Sequence, residues 1–183
     1  MTIVIRAVTG DSLVSSAIRR GEDGFWASHV EALTPDGFLL GAHQEDGVQK
    51  RPKDYDKGTW ALELYIEIPA TETQTQRFYD FLHSQIGKPY DMHAILAIAQ
   101  GALTGMATLS VGTEQPSWIC SALIVAGLLV AGVIKSAPST VRLTDPRDVV
   151  QMAAVLTPIG SPSKPPPPVV VEAKIDFDPF KGA

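Results

Sequence analysis

Ser117-Trp118-Ile119-Cys120-Ser121-Ala122-Leu123-Ile124 sets the only cysteine of the chain at the head of an apolar run that reads as a helix. Far upstream, Ser28-His29-Val30-Glu31 places a histidine on what reads as a strand. A free thiol has a pKa of about 8.5, and helix N–H groups with an adjacent imidazolium lower it by several units. Cys120 beside His29 is therefore a candidate nucleophile. Unpaired cysteines are more often small buried hydrophobes, and the local sequence leaves both readings open.

The remaining composition narrows the field. With 183 residues and 45% apolar content, the chain has room for one domain with a real core. That domain is expected over 1–159, followed by a Pro-rich arm over 160–183. A formal charge of -5 without a dense Lys/Arg stripe argues against a nucleic-acid surface. One cysteine makes neither an internal disulfide nor a cysteine-based zinc site, and the histidines lack the linear spacing of a metal motif. No metal and no organic cofactor is expected.

Met1-Thr2-Ile3-Val4-Ile5-Arg6 reads as a first strand and lacks the pattern of a secretory signal, so a chain made in the cytoplasm is expected. Trp118 to Ile134 falls at the lower limit for a bilayer span and reads as a buried core helix, so membrane contact is not expected. Ala94 to Val111 is similarly apolar but broken by Gly101 and Gly105, and either packs on that helix or touches lipid.

Asp11 to Arg20 reads as a short helix capped by Asp11. Ser28 to Thr34 and Phe38 to His43 flank Pro35-Asp36-Gly37 as a β-hairpin. Val48 to Pro52 continues the sheet, and Trp60 to Ile68 alternates like a half-buried strand. Thr71 and Gln74 have capping-box spacing before the stripe Phe78, Phe81, Leu82 and Ile86, which Gly87 ends. Asp145-Pro146 opens a last helix. Pro165 to Pro168 favour an extended arm, and the apolar residues beyond them either dock on this domain or a protein partner or form a disordered tail.

Four pieces then appear in a telling order: His29-Val30-Glu31-Ala32-Leu33, Gly41-Ala42-His43, Gly87-Lys88-Pro89-Tyr90-Asp91 and Cys120-Ser121-Ala122-Leu123-Ile124. Together they resemble the permuted NlpC-like papain-fold peptidases, including the YiiX-like group, over roughly the first 150 residues. The resemblance implies an α+β, circularly permuted papain-like fold, a small antiparallel sheet packed on helices, with the histidine strand ahead of the cysteine helix. It implies that Cys120 attacks an amide carbonyl, that His29 takes and returns the proton, and that a thioacyl-enzyme is hydrolysed. Backbone N–H groups at the start of the cysteine helix, around Ser121, would hold the oxyanion, aided by Tyr90.

For the residue that orients the imidazole, His43 has the hairpin position and the even spacing that puts it on the face of His29. Glu31, two residues along the same strand, and Gln44, one register step beyond His43, are the alternatives. Asp91 reads as a helix cap, His93 as a packing residue, and His83 has no assigned role. The long apolar stretch between Tyr90 and Cys120 departs from the family pattern and suggests an inserted helix or flap.

The function expected from the resemblance is a cysteine peptidase or amidohydrolase acting on a peptide or muropeptide amide. A non-catalytic structural or binding protein that retains the fold, and a lipid acyltransferase or thioesterase using the same dyad, remain as alternatives. Short proteins of this type occur in bacteriophage genomes, which suits a cell-wall target, a place in the virion or release at lysis.

Overall fold

The computed structural model describes residues 1–10, 24–95, 117–137, 141 and 144–157. The helix expected over 11–20, most of the apolar stretch before Cys120 and the Pro-rich arm lie outside the described residues. The fold is α+β. Strands β1 (Thr2–Val8), β2 (His29–Leu33), β3 (Phe38–His43), β4 (Gly47–Pro52) and β5 (Glu63–Pro69) form one antiparallel sheet in the order β4-β3-β2-β1-β5. Helices α1 (Glu72–Ser84), α2 (Cys120–Val130) and α3 (Pro146–Leu156) pack with it, and 92–95 begin a further helical segment.

Each element follows from local chemistry. In β1, Ile3, Ile5 and Ala7 alternate onto the core face and are fully buried, while Arg6 turns to the other face. The capping box opening α1 is present: the Gln74 N–H donates to the Thr71 hydroxyl at 3.2 Å and the Thr71 N–H to Gln74 Oε1 at 3.0 Å. Phe78 and Leu82 of its stripe are buried, whereas Ile86 lies past the helix end and is exposed. Asp145 caps α3 with Pro146 in its first turn, and Asp148 completes a second capping box.

Helix α2 is apolar all round because it lies between β2 and β3 on one side and α1 and α3 on the others. Cys120 through Leu128 are all buried, as a core helix requires. No helix among the described residues is long and apolar enough to cross a membrane.

One expected boundary is corrected. The strand expected from Trp60 begins at Glu63. Thr9 accepts from the Ala61 N–H and donates to the Leu62 carbonyl, which draws the chain into an irregular link, and the Trp60 indole turns to Asp56 instead of into a pleat.

The segment 87–91 is strapped down at both ends. The Gly87 N–H donates to the Val48 carbonyl at 2.9 Å, and the Lys88 carbonyl accepts from the Val48 N–H at 2.8 Å. Further along, the Trp118 N–H donates to the Pro89 carbonyl and the Asp91 N–H to the Trp118 carbonyl, each at 3.0 Å. This parallel bridge carries Tyr90 to the entry of α2.

Gly47 makes the crossing feasible: its φ is +71°, and a Cβ there would collide with the Lys88 carbonyl. Gly47→Ala combines left-handed strain of about 1–2 kcal/mol with a backbone clash, so a loss of about 3 kcal/mol is expected in urea unfolding. A loss under about 1 kcal/mol would show that the strap is not held at this point.

Candidate active site

Cys120 is the first residue of α2, preceded by Ile119, which gives no side-chain cap. The helix N-terminus is thus left to the sulfur, which also receives hydrogen bonds from the backbone of Val30 and Ser121. Cys120 as a residue is 2% exposed. Burial pushes its pKa up, but the charge and hydrogen bond of His29 more than offset this and hold it below the usual thiol value. For His29, burial works against the charged form, yet Cys120 and then Glu31 outweigh it, and the imidazolium pKa is pushed up to about 10. The two shifts have opposite sign, as in a thiolate–imidazolium pair.

The sheet delivers the other groups. In the β1–β2 register Val8 lies opposite His29 and Arg6 opposite Glu31. The β2–β3 register pairs Ala32 with Leu40. Its continuation sets Gly41 opposite Glu31 and His43 opposite His29. Gly41 makes room for the carboxylate, since a Cβ there would lie 2.9 Å from Glu31 Cγ. Glu31 Oε1 is 3.4 Å from His29 Nε2 and 3.0 Å from His43 Nε2, and the two imidazole centroids are 5.2 Å apart. Both contacts are off-axis: neither buried Nε2 completes hydrogen-bond geometry with the oxygen. Burial would raise the Glu31 pKa, but its contacts with His29 and His43 hold it well below the carboxylate range. His43 is pushed below the ordinary histidine value by burial and by the His29 charge, against the pull of Glu31.

Beneath Glu31 lies a charged network. Arg6, 2% exposed, donates from Nη1 to Glu31 Oε2 at 2.9 Å and grips Asp56 with bonds of 2.8 and 3.0 Å. Its Nε donates to Glu63 Oε1 at 2.6 Å. The Tyr55 hydroxyl donates to Glu31 Oε1 at 3.1 Å. The link between β4 and β5 roofs this face: Trp60 stacks on His29 at 6.2 Å and 6°, and Tyr55 meets His43 edge-on at 5.6 Å.

The expected residues thus fall in three groups. Cys120, His29, Glu31 and His43 are brought together. Tyr90 is close enough for its titration to feel Cys120; burial, then the charges of Cys120 and Asp91, push its phenol pKa up, so the hydroxyl stays a donor. Ser121 turns its hydroxyl away to the Thr144 carbonyl at 2.5 Å, tying α2 to the start of α3, while its N–H serves the sulfur.

The third group stands apart. Gln44 lies exposed in the turn after β3, and His83 and His93 are exposed. Asp91 caps the turn at 92–95 by accepting from the Ala94 N–H at 2.9 Å. Arg6, Tyr55, Asp56 and Trp60 were not anticipated. The only sequence signal was an arginine on the non-core parity of an otherwise apolar first strand. No protein-family model matches the chain, and no curated protein matches it.

Proposed function

We propose that the chain is a thiol amidohydrolase of the permuted, NlpC-like papain type, acting on a peptide or muropeptide amide. The observation that carries the reading is the Cys120–His29 pair, with a thiol lowered and an imidazole raised by each other, and Glu31 against Nε2 of that imidazole. Between the lowered thiol pKa and about 10 the pair is thiolate and imidazolium.

The thiolate attacks the amide carbonyl carbon, forming a C–S bond and placing charge on oxygen. The N-terminus of α2 and the Tyr90 hydroxyl supply donors for that charge. The His29 imidazolium gives its proton to the departing nitrogen as the C–N bond breaks, leaving a thioacyl-enzyme. Neutral His29 then takes a proton from water, which adds to the thioester. Collapse releases the carboxylic acid and regenerates the pair. With Nε2 turned to Glu31, Nδ1 serves the thiol in this scheme, and Glu31 acts as the orienting carboxylate.

One observation favours a second reading, a binding protein that retains the fold: Cys120 is only 2% exposed. Iodoacetamide alkylation against pH, in the wild type and in His29→Ala, separates the two. The hydrolase reading expects the wild-type rate to reach its plateau below about pH 8.5. At pH 6 the His29→Ala rate is expected to be lower by about tenfold or more, since a free thiol is then almost wholly protonated and thiolate fraction dominates nucleophilicity. An unreactive thiol, or matching profiles with apparent pKa near 8.5, would overturn it.

A further inference from the structure

We infer that His29 Nε2, Glu31 Oε1 and His43 Nε2 form a binding site for a zinc-class divalent cation. Each of the three residues offers one ligand atom within 4.8 Å of those of the other two. A tetrahedral zinc with bonds of about 2.0–2.2 Å needs neighbouring ligand atoms about 3.3–3.5 Å apart. The contacts from Glu31 Oε1 to the two nitrogens are 3.0 and 3.4 Å, so the carboxylate edges are close to that spacing without rearrangement.

The off-axis geometry points the same way. Both Nε2 atoms are buried and lack a completed hydrogen bond, although an acceptor oxygen is adjacent. In a tetrahedral site each nitrogen lone pair aims at the metal and therefore diverges from the line to the neighbouring ligand oxygen. Two imidazoles and a carboxylate form a donor set suited to zinc and its first-row neighbours. The next layer is already built: Glu31 is held by Arg6 and Tyr55, as the outer partners of ligating carboxylates usually are.

Charge is also favourable. Glu31, Asp56 and Glu63 surround the single guanidinium of Arg6. Three carboxylates against one cation leave two negative charges, which a dication matches.

The consequence for regulation rests on the hydrolase reading. A cation on Nε2 fixes the hydrogen of the neutral imidazole on Nδ1, which then has no lone pair to take a proton from the thiol or from water. The zinc-loaded protein would be an inhibited form.

The test is calorimetric titration of the chelator-treated full chain with zinc chloride, with cobalt(II) visible absorption as a second readout. One equivalent is expected to bind. Cys120→Ser keeps all three ligands and should bind zinc at least as tightly as wild type, because the thiolate no longer holds a proton on His29. His43→Ala removes one ligand from the sheet edge and should weaken binding by at least about tenfold, with circular dichroism establishing that it is folded. His43→Gln gives the same readout if the alanine variant fails to fold.

No saturable binding, wild-type affinity in both His43 variants, or loss of binding in Cys120→Ser would each overturn the site. An activated thiol in a chain that binds no zinc refutes this inference and leaves the hydrolase reading standing. Zinc binding in a chain whose thiol is unactivated does the reverse.

Discussion

Cys120→Ser is expected to lower amide hydrolysis of purified muropeptides by at least about 10⁴-fold while leaving the fold intact. The swap is nearly isosteric, and the buried side chain keeps its place at the head of α2. What it loses is the charge. A serine hydroxyl stays protonated in the range where Cys120 shares its proton with His29, so the ion pair disappears.

The histidine reports that loss independently of any substrate. The Cys120 charge and hydrogen bond are the largest influences holding the His29 pKa up at about 10, ahead of Glu31, and burial opposes them. Once they are removed, burial dominates, and the His29 titration followed by NMR should fall clearly below 10 in Cys120→Ser. A His29 titration unchanged by the substitution would mean that thiol and imidazole are uncoupled. Full hydrolysis by the serine variant would place the chemistry elsewhere.

What was legible in the sequence is what depends on neighbours in the chain. The capping box of α1, the Asp145-Pro146 start of α3, the hairpin around Gly37 and the buried character of α2 all follow from short-range pattern, and each appears in the structure. The order of histidine strand and cysteine helix was legible too, and it sufficed to nominate Cys120 and His29. The choice between His43 and Glu31 was not legible. Parity puts both on the face of His29, and only the β2–β3 register and the space above Gly41 decide that the carboxylate sits between the two imidazoles. Arg6 lay further out of reach, because its partners come from three separate places: β2, the link before β5, and the start of β5. Pairing at sequence separations of 25 to 57 residues is settled by tertiary structure, and no local periodicity encodes it.

That network underlies the largest stability effect. Arg6→Met, which keeps an unbranched apolar stem and removes the guanidinium, is expected to cost about 3–5 kcal/mol in urea unfolding. Removing one member of a buried ion pair strands the others. Here Glu31, fully buried, loses its partner at 2.9 Å, and Asp56 loses a two-bond clamp. Such a cost consumes a large share of the roughly 5–15 kcal/mol typical of a folded domain. The contrast is Glu63→Gln: that side chain is 42% exposed, solvent screens it, and its loss should cost under about 1 kcal/mol.

The pH dependence carries a definite sign. Burial disfavours the Glu31 carboxylate, but His29 and His43 hold its folded pKa far below the unfolded value. Its contribution to stability is therefore full above an unfolded pKa of about 4.3 and fades as the pH falls toward the folded value. Without Arg6 the folded pKa of Glu31 moves up, so the variant takes up protons sooner, and its deficit relative to wild type should narrow on acidification. The double variant Arg6→Met/Glu31→Gln should recover part of the loss at neutral pH, because the stranded charge is gone. A deficit that stays constant with pH, or a double variant no better than Arg6→Met, would mean that the guanidinium acts through Asp56 and Glu63 and not by holding the carboxylate that faces His29.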